Sequence, residues 1–151
     1  MASRAAAEKA FQSIENVLGG KGVLGVKPRS SLDWVGMIRE GIPAAAVESI
    51  LSAVHLSQTE LALALGIPER TLARRKREGA LNSEESSKLL RLARVVSRAS
   101  EVFDDPAAAV DWLKSANAAL RGNAPLSLLD TDIGAEAVLD TLGRIEHGVF
   151  A

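Results

Sequence analysis

The sequence predicts an all-α protein with a pair of short capped helices at its centre, a long helix after them and a small helical unit toward the C-terminus. Two observations carry that prediction. Aromatic residues are only 3% of the 151 while alanine is abundant, which suits close packing of small-residue helices better than the faces of a β-sandwich. Helix-start and helix-stop residues also follow one another along the chain, with apolar residues at three- and four-residue spacing between them.

Composition excludes several kinds of function. The 47% hydrophobic and 25% charged residues are those of an ordinary globular protein, and at this length folding buries roughly 68–70% of the surface of the unfolded chain, so neither metal nor disulfide is needed to hold a core. The absence of cysteine removes disulfides, thiolate zinc sites and cysteine nucleophiles, and agrees with a reducing compartment. With His55 and His147 as the two histidines, a metal site must lean on carboxylates and a histidine triad has two candidate bases. No run approaches the ~18 apolar residues of a spanning helix, and the start of the chain is charged and amphipathic rather than signal-like. The expectation is a cytoplasmic protein with no membrane partner and no cofactor.

The elements follow in order. Ala2 to Leu18 reads as a helix stopped by Gly19 and Gly20, and the glycine-rich stretch through Pro28 reads as an irregular connector. A phosphate loop does not fit there, because Gly22 follows Lys21 where Ser or Thr is required. Ser30 or Ser31 caps a helix through Glu40 that Gly41 ends, and Pro43 opens another through Ala53. Ser57 with Glu60 forms a capping box for a short helix broken by Gly66; Pro68 opens the next, which runs to about Arg77 before Gly79. Asn82 with Glu85 caps a long helix in which Leu89, Leu92, Val96, Ala99 and Phe103 form one stripe, either core or dimer seam. Asp105 followed by Pro106 starts a new unit, and three short helices are expected in it: Pro106 to Ala116, Pro125 to Leu129, and Asp132 to about Glu146. The resulting division is 1–41, 42–104 and 105–151.

Charge divides near the same place. Residues 70–98 hold nine basic and three acidic side chains, and residues 99–151 hold three basic and nine acidic, within a net charge of −1. A basic middle and an acidic end suggest two surfaces with different partners, against the plainer alternative of solvated helix faces.

Two short helices around a glycine turn, the second rich in arginine, have the form of a helix-turn-helix. Counting from Gln58, Ala62 stands fifth, where a small residue lets the helices approach, and Gly66 ninth, where the turn favours positive φ; Leu61, Leu65, Ile67 and Leu72 supply inward contacts. Glu69, Arg70, Ala73 and Arg74 then fall on the face that meets base edges. Arg75, Lys76 and Arg77 are placed for phosphates, as is Gln58 at the amino end of its helix. Arg75 is anomalous because an aliphatic residue usually packs there, so either the helix is rotated or the arginine extends along its stem to solvent.

The stretch from Ile42 to the C-terminus resembles the Xre/MbcA/ParS family of antitoxins. Thr71, Leu72, Arg74 and Arg75 match the family's T-L-x-R-R, in which Arg75 is ordinary. Trp112, Leu113, Asn117, Leu120, Gly122, Pro125, Leu128, Leu129, Gly134, Val138, Leu142 and the run from Arg144 to Val149 follow its C-terminal toxin-binding pattern. Ala116 and Arg121 depart from it, where the family usually has proline and one of a glycine pair. The resemblance implies a non-enzymatic antitoxin that inhibits a RES-domain, NAD⁺-consuming toxin and represses its own operon by binding operator DNA. Residues 1–41 receive no role from it.

Within the C-terminal region, Trp112, Leu128, Leu129, Val138 and Leu142 have the spacing of core residues, whereas Arg144, Glu146, His147, Gly148, Val149, Phe150 and Ala151 are the toxin-contact candidates. Glu146 and the carboxylate of Ala151 suit a basic cleft that accepts a dinucleotide. A homodimer is expected because a palindromic operator matches a two-fold protein. Two alternatives stand beside this reading: a free-standing repressor without a toxin partner, and a protein-only adaptor whose helix-turn-helix no longer reads DNA.

Overall fold

A computed structural model of the chain describes residues 13–148. The predicted N-terminal helix falls partly outside that range; residues 13–17 are helical, and Leu18 is fully buried just before Gly19 and Gly20, both at positive φ. The connector is not irregular throughout. Lys21–Leu24 forms a single helical turn closed by left-handed Gly25, because Leu24 turns inward to join the core.

Helix α1 spans Ser31–Glu40, with the Asp33 amide donating to Ser30 Oγ at its start and Trp34 buried beneath it. Helix α2 spans Ala45–Val54, beginning after the predicted Pro43. The backbone before it is committed elsewhere: Pro43 pairs with Ala80 in an isolated antiparallel bridge, the Ala44 amide donates to Gly79 O at 2.9 Å, and the Leu81 amide donates to Ile42 O at 2.9 Å. Gly41 faces this clamp at φ 99°, where a Cβ would overlap the Leu81 carbonyl oxygen, so both the conformation and the close approach require glycine.

Helices α3 (Gln58–Leu65), α4 (Glu69–Glu78) and α5 (Ser83–Phe103) follow, and both predicted capping boxes are present, Ser57 with Glu60 and Asn82 with Glu85. Asp105 caps α6, Pro106–Lys114, which stops short of the predicted Ala116. Two 3₁₀ turns, Ala118–Leu120 and Pro125–Leu128, lead to α7, Asp132–Glu146, capped by Thr131. The first 3₁₀ turn is absent from the sequence reading. Asn117 accepts from the Ala119 amide and pairs with Asn123, and Arg121 is forced to φ 58°, a left-handed conformation that explains why glycine is usual there.

Helix α5 is the spine, packing against α1, α2, α3, α6 and α7. Around it lies one continuous apolar core that includes Ile42, Ile50, Leu61, Leu65, Leu113 and Leu142. Leu89, Leu92, Val96 and Ala99 are buried in that core, and half-buried Phe103 lies 5.7 Å from the Trp112 ring. The stripe on α5 is therefore core, and a dimer seam must be sought elsewhere. Among the described residues there is no β-strand beyond isolated bridges, and no helix is long and apolar enough to cross a membrane.

Candidate nucleic-acid interface and C-terminal end

The helix pair is built as its sequence requires. At the head of α3 the Glu60 amide donates to Ser57 Oγ at 3.1 Å and the Ser57 amide donates to a Glu60 carboxylate oxygen at 2.9 Å. The hydrogen bond from the Ser57 backbone holds the Glu60 carboxyl below its usual range. Ala62 is buried, which lets the helices approach, and Gly66 turns the chain at φ 69°. Leu61, Leu65 and Ile67 are buried and Leu72 is half-buried against the core.

Helix α4 has no fully buried residue. Glu69, Arg70, Ala73, Arg74, Lys76 and Arg77 are exposed on it, as is Gln58 on α3. Their charges are not equally available. Arg74 Nε lies 3.4 Å from Glu78, Lys76 Nζ lies 3.1 Å from Glu48 on α2, and Glu69 accepts from Thr59 Oγ1 at 3.1 Å. Among the described residues, Arg70 and Arg77 form no ion pair. A groove of about 290 Å³ lies beside Arg77 between α2 and α4, lined by Val47, Leu51 and Leu72 together with Gln58 and Glu69.

Arg75 does not extend along its stem to solvent. Its Nε donates to Glu85 at 2.7 Å and its Nη1 to Glu78 at 3.0 Å, and its side chain is 19% exposed. Glu85 simultaneously accepts from the Asn82 amide at 2.9 Å as part of the second capping box. Burial alone would raise the Glu85 carboxyl, but the hydrogen bonds from Arg75 and the Asn82 amide outweigh it and hold the group below its usual range; the same contact with Glu85 raises Arg75. The guanidinium assigned to a phosphate is engaged within the molecule, fastening the end of α4 to the start of α5.

At the other end, Arg144 and His147 are exposed and left-handed Gly148 follows the last helix. Glu146 does not present a free carboxylate: its two oxygens accept from Arg98 at 2.6 and 2.8 Å. Arg98 holds the Glu146 carboxyl below its usual range and is itself raised by the pairing. His147 Nε2 lies 3.9 Å from the same carboxylate. Val149, Phe150 and Ala151 lie outside the described residues.

The sequence missed the struts that join the helix pair to the C-terminal region. Lys88 Nζ donates to Gly66 O at 3.2 Å, Arg91 donates to Leu129 O at 2.9 Å and to Asp132 at 2.7 Å, and Lys114 Nζ donates to His55 O at 2.9 Å. These cations read as solvated charge because three of the acceptors are backbone carbonyls in turns, and pairing across 22 to 59 residues leaves no local pattern.

Comparison with known proteins places both regions. Residues 33–94 match an antitoxin Xre-like helix-turn-helix domain, and residues 98–148 match the antitoxin Xre/MbcA/ParS C-terminal toxin-binding domain. The two matches meet inside α5. Antitoxin Xre of Yersinia enterocolitica is 36% identical over 119 residues, covering 78% of this chain and 80% of the relative. Antitoxin Xre of Photorhabdus laumondii is 32% identical over 76% of this chain and 79% of its own length, and a Prs ADP-ribosylating antitoxin of Sphingobium is 30% identical over 81% and 83%. With both halves matched and relatives at this identity over most of their length, the chain belongs to the Xre/MbcA/ParS family of antitoxins.

Proposed function

We propose that this protein neutralises a RES-domain toxin that degrades NAD⁺ and represses its own operon, with residues 42–104 holding DNA and residues 105–151 holding the toxin. The observation that carries the DNA half is an α4 with no buried residue and two arginines, Arg70 and Arg77, that pair with no carboxylate among the described residues. Glu69, Arg70, Ala73 and Arg74 meet bases, a carboxylate suiting a cytosine amino group and an arginine a guanine. Gln58, Lys76 and Arg77 meet phosphates, whereas Arg75 acts by positioning α4. The DNA-bound species is a homodimer whose seam lies outside the buried α5 stripe, and the protein acts in the cytoplasm without chemistry of its own.

The toxin half rests on the match of residues 98–148, with Arg144, Glu146, His147, Gly148, Val149, Phe150 and Ala151 as the inhibitory end. Glu146 belongs to that end while its carboxylate is held by Arg98. A second reading of the toxin comes from the Sphingobium relative, whose name joins it to ADP-ribosylation of Prs. Transfer of ADP-ribose also consumes NAD⁺, but it leaves the label on a protein.

The test is co-expression with the product of the neighbouring gene, followed by an NAD⁺ assay with and without residues 144–151. An inactive complex of the full chain that becomes active or fails to assemble after the deletion supports the reading. Label appearing on a protein selects the ADP-ribosylation chemistry. No complex and no effect on NAD⁺ leaves a simple repressor. For DNA, replacing Arg70 and Arg77 together with alanine weakens operator binding and, through the phosphate contact of Arg77, flattens its logarithmic salt dependence by about 1. An operator affinity unchanged by that double substitution refutes the assignment to α4.

A further inference from the structure

Leu63 and Ile133 are among the few large apolar side chains exposed to solvent, at 73% and 84%, and they flank a junction between the two matched regions. Leu63 lies three residues before Gly66 and Ile133 three residues after Asp130. Asp130 Cβ lies 3.4 Å from the place a Cβ on Gly66 would occupy. Beside Leu63 is a cleft of about 190 Å³, walled by Ala64 of α3 and by Lys114, Ala124 and Leu126 of the C-terminal region. Its shape is fixed from both sides, because Lys114 reaches His55 O and Lys88 reaches Gly66 O. Gln58 and Leu61 line the groove beside α4 while Glu60 and Leu63 line this cleft, so α3 serves two different faces.

The lining of the cleft sets the kind of partner. Glu60 and Lys114 stand in its wall among Leu63, Ala64, Ala124 and Leu126, and the Lys114 ammonium is held by His55 O. A largely apolar cleft with one charge of each sign at its wall fits a protein surface that offers an apolar side chain. Lys114, Ala124, Leu126 and Ser127 of the cleft come from the stretch matching the toxin-binding domain, so the surface continues that domain onto α3.

We propose that Leu63 and Ile133 form a docking surface for the toxin, which inserts an apolar side chain into the cleft and so grips the first helix of the helix-turn-helix together with the C-terminal region. This rests on the reading that the chain binds a toxin. It places the toxin on a face of α3 distinct from the one beside α4, so toxin and DNA are held at the same time.

The experiment uses the full chain co-expressed with the toxin of the neighbouring gene, with Leu63→Arg, Leu63→Ser and Ile133→Arg compared against Leu32→Arg, a change at an exposed leucine far along the chain. Toxin affinity, mass by light scattering, thermal stability and operator affinity are measured for each. Leu63→Arg and Ile133→Arg are expected to weaken toxin capture at least tenfold, with Leu63→Ser intermediate, while melting and operator affinity of the antitoxin alone stay at the wild-type values and Leu32→Arg captures toxin normally. Wild-type capture by both arginine variants overturns the docking surface and leaves the antitoxin reading standing. Loss of dimer with capture retained also overturns it, and gives the surface to a second copy. Failure of the wild-type chain to capture toxin removes the antitoxin reading and this proposal together.

Discussion

Helix α4 has no fully buried residue, whereas α7 buries Ala135, Val138, Thr141 and Leu142. Both are fastened to α5 by an arginine–glutamate pair, Arg75 with Glu85 at its start and Arg98 with Glu146 near its end. The difference lies in what would remain without those pairs. Helix α7 keeps an apolar face in the core. Helix α4 keeps half-buried Leu72, its left-handed Gly79 terminus and the backbone clamp from Ala44 to Gly79 O. With no fully buried residue, α4 is positioned chiefly by polar and backbone contacts, which leaves it the more easily loosened of the two.

The largest effect is expected where α7 meets the core. Leu142 is fully buried in the continuous cluster, so Leu142→Ala should cost about 2–5 kcal/mol through lost transfer energy and the cavity left behind. Urea unfolding followed by tryptophan fluorescence and by far-ultraviolet circular dichroism should show one shared transition, shifted to lower denaturant. Separate transitions, with α7 lost while the rest holds, would show that the C-terminal region is an independent unit and that the single core gives no common stability.

A smaller effect is expected at the joint between α4 and α5. Asn82→Ala removes the acceptor of the Glu85 amide, found at 2.8 Å, at a cost of about 1 kcal/mol typical of a lost N-cap. Because Glu85 also receives Arg75, the substitution should loosen α4 and weaken operator binding while leaving toxin capture unchanged. Equal losses of both activities would mean that α4 is not separately adjustable.

The same contrast explains what could be learned from sequence. The capping boxes at Ser57 and Asn82, the Gly66 turn, the Asp105–Pro106 start and the α5 stripe were legible because each is a local pattern with a local cause. The anion-rich C-terminal end is legible as charge but not as geometry: nothing local shows that Glu146 accepts from Arg98, 48 residues away. Arg75 was legible as an anomaly, yet Glu85 had already been accounted for by its capping box, and nothing local shows that one carboxylate serves both. The start of α2 was misplaced for a similar reason. Pro43 has the sequence of a first turn, but residues 42–44 pair with 79–81, a partner too distant along the chain to leave a local pattern.

Acid titration gives the smallest and most discriminating test. Glu85, in spite of its burial, and Glu146, through Arg98, are both held below the ordinary carboxylate range in the folded chain, while in the unfolded chain each returns to about 4.3. The unfolded state therefore binds protons first as pH falls, and the stability these groups supply is present above the ordinary value and lost as pH drops through their lower folded values. Melting temperature should be nearly level from about pH 7 to 5 and decline below about 4.5. Glu60, held low by its hydrogen bond with Ser57, adds to the decline, so no single substitution abolishes it. Glu85→Gln and Glu146→Gln should each make it shallower, but only Glu85→Gln should also weaken operator binding at neutral pH, because only that carboxylate fastens α4. If Glu146→Gln weakens operator binding as much, the two ends of α5 are coupled and the polar attachment of α4 is not local.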